Sequence, residues 1–135
     1  MQSYDAKTRY ALLAALDLAA LHAQDQPARL RDIARRTGAP SNYLVHVLLA
    51  LKRRALVRST RGPAGGYALM RPPALISVAE VVAAVESRRR TRAPAAGAGY
   101  APLIDEVFAQ AERQAHDFLV RVTLADLVDR LPGPP

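Results

Sequence analysis

Residues 30–69 read LRDIARRTGAPSNYLVHVLLALKRRALVRSTRGPAGGYAL. Two short helical patterns, parted by Thr37-Gly38-Ala39-Pro40, lead into two extended runs that flank Arg61-Gly62-Pro63-Ala64-Gly65-Gly66. That order predicts a helix-turn-helix followed by a β-hairpin wing.

The second helical pattern carries most of the information. Pro40-Ser41 is a start signal, with the Ser41 hydroxyl expected to accept from the free N–H groups of the first turn. At 100° per residue Leu44, Val47, Leu48 and Leu51 share one side, at the i, i+3, i+4, i+7 spacing of a core stripe. Asn42, Val45, His46, Leu49 and Arg53 share the other. A face meant only for solvent is more often filled with Glu and Lys, whereas this one has an amide, an imidazole, two aliphatics and a guanidinium, and the pattern holds no acid. Such a face suits the major groove of DNA, where amides and Arg meet base edges and aliphatics meet thymine methyls. The other reading is a face that docks a partner protein through Tyr43, Val45 and Leu49.

The wing favours the groove. Val57 and Ser59 alternate with Arg58 and Thr60, Tyr67 to Met70 form the return run, and the glycines supply the positive φ angles of a hairpin tip. Arg58, Arg61 and Arg71 lie in or beside it, and no acid occurs between Ile33 and Val78. A basic hairpin beside a basic helix points to a polyanionic partner, double-stranded DNA.

Tyr43-Leu44, Leu48-x-x-Leu51, Ala55-Leu56-Val57 and Arg61-Gly62-x-x-Gly65-Gly66-Tyr67-x-Leu69 resemble the IscR/BadM-like, or Rrf-two, family of winged-helix regulators. Lys7-Thr8-Arg9-Tyr10-Ala11-Leu12 and Ile76-Ser77-Val78-x-x-Val81-Val82-x-Ala84-Val85-Glu86 match it in the right order, so the resemblance covers roughly residues 5–87. It implies a homodimeric transcriptional regulator, most commonly a repressor, that binds a palindromic operator. With the residue reading it gives a candidate DNA-binding set of Lys7, Arg9, Arg31, Ser41, Asn42, Tyr43, His46, Arg53, Arg58, Arg61, Gly65, Gly66 and Tyr67. For Lys7, Arg9 and Tyr10 a plain solvated first turn, with Tyr10 packed beneath, fits the residues equally well. Members that hold an iron–sulfur cluster place three cysteines after the winged helix, and this chain has no cysteine. Cluster sensing is therefore not carried over, no cofactor or metal is expected, and His116 alone does not make a cluster site. Control by a small molecule, by a protein partner or by abundance stays open.

The charge is distributed to match. Lys and Arg total 19 against 12 Asp and Glu. Residues 1–71 carry 12 basic and 4 acidic side chains, net +8, and residues 72–135 carry 7 and 8, net −1. All but two of the basic residues are Arg, which suits bidentate contacts and equally suits a GC-rich genome.

Upstream, residues 5–23 are expected to form a helix with Leu12, Leu13, Leu16, Ala19 and Ala20 as its stripe, widened by Leu18 and Leu21. Asp17 interrupts the apolar run, so the reading is a cytoplasmic helix and not a signal peptide. No stretch approaches the ~20 apolar residues of a membrane span. Residues 29–37 form a positioning helix, ended by Gly38, with Arg31, Arg35 and Arg36 outward.

Downstream, Ser77-Val78-Ala79-Glu80 opens a helix with a capping box and a stripe of Val78, Val81, Val82 and Val85. Residues 88–101 read as a linker whose Arg88, Arg89, Arg90 and Arg92 are a solvated tether or a second basic contact. From 102 to 122, Ile104, Phe108, Ala111, Ala115, Phe118 and Val122 step by four and three, a near-heptad seam for the same helix of a second subunit or for the chain's own domain. A short helix after Thr123 ends the pattern.

The expected organisation is thus mainly α with one small β-hairpin: a winged helix-turn-helix domain over 1–87, a linker over 88–101 and a dimerisation segment over 102–135. Nothing resembles a nucleophile with its base, a carboxylate pair or a set of metal ligands, and the glycines lie between strands where a phosphate loop would need a helix. An enzyme is not expected.

Overall fold

The computed structural model describes residues 4–86 and 96–132. Six helices and one antiparallel hairpin follow in the order α1 (Ala6–Ala20), α2 (Leu30–Thr37), α3 (Ser41–Arg53), β1 (Val57–Thr60), β2 (Gly66–Leu69), α4 (Val78–Val85), α5 (Ala101–Arg121) and α6 (Leu124–Asp129). Short 3₁₀ turns lie at His22–Gln24, Pro73–Leu75 and Ala98–Tyr100. Arg88, Arg89, Arg90 and Arg92 lie outside the described residues.

α1 is the central element, in contact with α2, α3, α4, α6 and β2. Its capping is local: the Asp5 carboxylate accepts from the Thr8 N–H at 2.9 Å, which holds the Asp5 carboxyl below its ordinary value. The buried face is Thr8, Ala11, Ala14, Ala15, Leu18 and Ala19. This corrects the leucine stripe, because Leu12, Leu13 and Leu16 are only half-buried and Ala20 is exposed. The helix is apolar nearly all round, so period alone does not choose a face. Packing does, since alanines let two crossing helices approach more closely than leucines would.

α2 and α3 meet through a short turn that the sequence encodes residue by residue. Gly38, at φ 76°, takes the left-handed conformation that a Cβ disfavours, and its N–H donates to the Ala34 carbonyl at 2.8 Å. The Thr37 hydroxyl donates to the Ile33 carbonyl at 2.7 Å and accepts from the Ala39 N–H at 3.2 Å. α3 then starts at Ser41 with Pro40 as its cap and no side-chain capping bond. Ser41 is therefore the first helical residue and not the capping acceptor, because Pro40 already holds the extended φ and ψ of that position. The stripe Leu44, Val47, Leu48 and Leu51 is wholly buried, as the spacing predicts.

At its far end α3 closes in a Schellman motif. The Leu56 N–H donates to the Leu51 carbonyl and the Ala55 N–H to the Lys52 carbonyl, both at 3.0 Å. The position that favours glycine is held by Ala55 at φ 57°. Left-handed geometry costs a Cβ-bearing residue about 1–2 kcal/mol, while glycine loosens the unfolded chain by about 0.4–1 kcal/mol. Ala55→Gly is therefore expected to stabilise the protein by about 0.5–1 kcal/mol, read as a higher urea midpoint at constant slope.

The hairpin pairs Val57 with Leu69, Arg58 with Ala68, Ser59 with Tyr67 and Thr60 with Gly66. Its return strand is pinned to the body, near the loop end, by a third extended segment: the Ala28 N–H donates to the Tyr67 carbonyl at 2.8 Å and the Tyr67 N–H to the Ala28 carbonyl at 2.7 Å.

α4 begins with the expected capping box, the Ser77 hydroxyl accepting from the Glu80 N–H and the Glu80 carboxylate from the Ser77 N–H, both at 3.1 Å. α6 begins with a second box of the same form, between Thr123 and Asp126. The two starts lie side by side, with Val78 N–H to Val122 carbonyl at 2.8 Å and Leu124 N–H to Ile76 carbonyl at 2.9 Å. Leu124 is fully buried in the same core as Ile33, Leu48 and Ile76.

α5 buries none of its residues. Val122 does not continue its stripe: it leaves the helix at φ −91° and ψ 119°, because its carbonyl is needed for the bridge to α4. No helix among the described residues is long and apolar enough to cross a membrane.

Candidate nucleic-acid interface

Three elements expose cationic side chains. On α3, the side opposite the core exposes Asn42, Tyr43, Val45, His46, Leu49 and Arg53. Ser41 is exposed at the helix start, where the first N–H groups have no partner within the helix. Lys52 and Arg53 lie in the last turn, and no acid lies in the first. The wing adds Arg58, exposed at the middle of β1, and Arg61, exposed in the first position of the loop. Lys7 and Arg9 are exposed in the first turns of α1, and among the described residues neither forms an ion pair.

Two contacts lock these elements together. The Tyr10 and Tyr43 rings lie 5.2 Å apart at an interplanar angle of 51°, fastening the start of α1 to the start of α3. Lys52 Nζ donates to Ser59 Oγ at 2.9 Å, fastening the end of α3 to β1. Tyr10 is half-buried, so it stands between the two readings of the first turn.

Gly65 lies in the hairpin loop, its N–H donating to the Gly62 carbonyl at 2.9 Å, and Gly66 and Tyr67 begin the return strand opposite Thr60 and Ser59. The backbone of Tyr67 is engaged with Ala28, and its side chain lines a small cleft with Leu18, Leu21, His22 and Arg58. These residues hold the hairpin while Arg58 and Arg61 present the charge.

The outer side of α2 is less free than its sequence indicates. Arg36 Nε and Nη2 donate to both Asp17 oxygens, at 2.9 and 3.0 Å, and Asp17 is almost buried. That hydrogen bonding raises the Arg36 pKa, against the desolvation. Arg35 pairs with Asp32 at 3.2 Å. Arg31 is exposed and, among the described residues, forms no ion pair. Arg71 likewise turns back: it donates to Glu80 Oε1 at 2.8 Å and to the Leu75 carbonyl at 3.1 Å. Desolvation opposes the Glu80 charge, but Arg71 and the Ser77 N–H outweigh it and lower the Glu80 pKa. Of the arginines expected outward on α2 and beside the wing, Arg36 and Arg71 thus hold the scaffold. Their partners lie 19 and 9 residues away, where no local pattern would reveal them.

The second face is α5. Leu103, Ile104, Val107, Phe108 and Phe118 are exposed large apolar side chains, with Ala111 and Ala115 exposed between them. Leu103 and Val107 widen the seam beyond the four-three spacing. Asp105, Glu106, Glu112, Arg113, His116 and Asp117 fill the remaining surface of the helix.

Comparison with known proteins gives a consistent result. The model of the Rrf2 family, described as an iron-dependent transcriptional regulator, matches residues 4–130. ORF2 of Azotobacter vinelandii, assigned as an HTH-type transcriptional regulator, is 45% identical over 128 residues, which cover 92% of this chain and 77% of that protein. The HTH-type transcriptional regulator IscR of Yersinia pseudotuberculosis is 39% identical over 127 residues, covering 91% and 77%. The solved structure of T. potens IscR superposes with a TM-score of 0.80 at 27% identity, over 96% of this chain and 88% of that one.

Proposed function

The chain belongs to the Rrf2 family of DNA-binding transcriptional regulators, and from that premise we propose that it acts in the cytoplasm as a homodimeric repressor on a palindromic operator, without an iron–sulfur cluster. The observation that carries the reading is the joined α3–wing face, cationic and free of carboxylates from residue 33 to residue 78. α3 lies in the major groove and supplies base contacts through Asn42, His46 and Arg53. Lys7, Arg9, Arg31, Arg58 and Arg61 meet phosphates on either side.

The exposed face of α5 supports the dimeric reading. A helix with Ile104, Phe108 and Phe118 in solvent and small alanines between them gains most by lying against its own copy. In this reading residues 1–87 form the reading head and residues 102–135 the dimerisation segment, with α6 tying the second to the first.

The family's iron dependence does not fit the residues present. A cluster needs thiolates, and the chain has none. Every His, Asp and Glu of the chain is among the described residues, and no three of them stand close enough to hold a metal ion.

The test is a salt series on operator fragments. If both reading heads engage, roughly six to ten phosphates are neutralised, and log K should fall with log salt at a slope of about −5 to −9. A nearly flat dependence would overturn groove binding.

A further inference from the structure

We propose that Val45 and Leu49 read thymine, each closing on the 5-methyl group of one base, so that A·T pairs about two base steps apart fix the centre of each half-site. The proposal rests on the DNA-binding reading and deepens it. α3 buries Leu44, Val47, Leu48 and Leu51 completely, yet leaves Val45 45% and Leu49 43% exposed. The two sit one turn apart, separated by about 6 Å along the helix axis. Base pairs rise about 3.4 Å per step, so two successive aliphatic groups span about two steps.

Their surroundings select the partner. Lys52 and Arg53 on the same helix and Arg58 and Arg61 in the adjoining wing are basic, and there is no acid among them. Such a rim suits a polyanion better than an ordinary protein face. The apolar group that a base pair offers in the major groove is the thymine methyl.

Val45 and Leu49 carry no donor or acceptor of their own, so a hydrogen-bonded reading at these two positions would have to come from their neighbours. Cytosine offers an amino donor that a carboxylate would accept, and none is present. Guanine is read best by Arg or Lys. On this face Arg53 stands at the far end, and Lys52 is engaged with Ser59. Asn42, one turn before Val45, has the amide that pairs with adenine.

An operator selected from genomic fragments, then synthesised with deoxyuridine in place of one thymine at a time, tests this directly. The exchange removes one methyl and keeps every hydrogen bond. Wild-type protein should lose affinity about four-fold, the effect of one buried methyl, at two positions per half-site. The loss should be the same at low and high salt, since no counterion is displaced. Val45→Ala should cancel the sensitivity at one position and Leu49→Ala at the other, and both side chains are exposed enough for alanine to leave the fold intact. If wild-type protein selects an operator but ignores every deoxyuridine, the thymine reading fails and the DNA-binding reading stands. If no fragment is selected at all, both fail.

Discussion

Glutamate at both Ala111 and Ala115 is expected to leave the protein monomeric and to lower its affinity for a palindromic operator roughly 10²–10⁴-fold, the range that linked binding adds over a single contact. Neither alanine is buried in the protomer, so the substitutions should spare its own core. In the proposed dimer the same positions face their copies across the middle of the α5 seam, between Ile104 and Phe108 on one side and Phe118 on the other. Four added carboxylates would then be held in apolar surroundings without partners, a placement that costs more than the seam gains. Sedimentation reads the outcome. A dimer unchanged by the double substitution would move the interface elsewhere, and a wild-type monomer at micromolar concentration would remove the two-fold arrangement.

Gly66→Val is expected to destabilise the protein by about 2–4 kcal/mol, the scale of two disrupted backbone hydrogen bonds with added strain. The residue has φ 149°, and a Cβ there would lie 2.5 Å from the Ala28 carbonyl oxygen and 2.7 Å from its carbon. Either the paired bonds between Ala28 and Tyr67 open or the hairpin twists away, and both release the wing from the segment that precedes α2. Gly62 provides the comparison. It also has a positive φ, 104°, but nothing lies within 4 Å of an added Cβ. Gly62→Ala should therefore cost only the backbone strain, about 1–2 kcal/mol, and keep DNA affinity, while Gly66→Val loses both stability and affinity. Equal losses in urea titrations of the two variants would show that close approach to Ala28 does not set the wing's position.

The parts of the fold that were readable in advance are those written in short-range chemistry. The i, i+3, i+4 stripe of α3, Gly38 at the end of α2, and the Ser77 capping box each need only a few neighbouring residues to act, and each appears where the sequence places it. The wing was readable because its glycines and alternating arginines are local signals. What was missed is long-range. Ala28 bridges to Tyr67, Asp17 holds Arg36, and Val122 leaves its helix to meet Val78, all through partners that no periodicity specifies. The core face of α1 was misjudged because leucines and alanines both repeat along it, and only the neighbours that crowd around the helix decide which set is covered. For the candidate interface, residue types on α3 and the wing were visible, but not that Arg36 and Arg71 are spent on internal pairs.

The bridge between the starts of α4 and α6 also fixes how the proposed dimer can be phased on DNA. Because Val122 and Leu124 are bonded to Val78 and Ile76, α5 emerges from the reading head at a root that is part of its core. In a pair joined along α5, any turn of one long helix against the other is passed directly to both α3 helices. The rotational offset between half-sites is then set by the pitch at which two α5 helices cross. Operator spacing becomes a property of side chains far from the DNA, and selection can retune it at the seam without touching a base-reading residue.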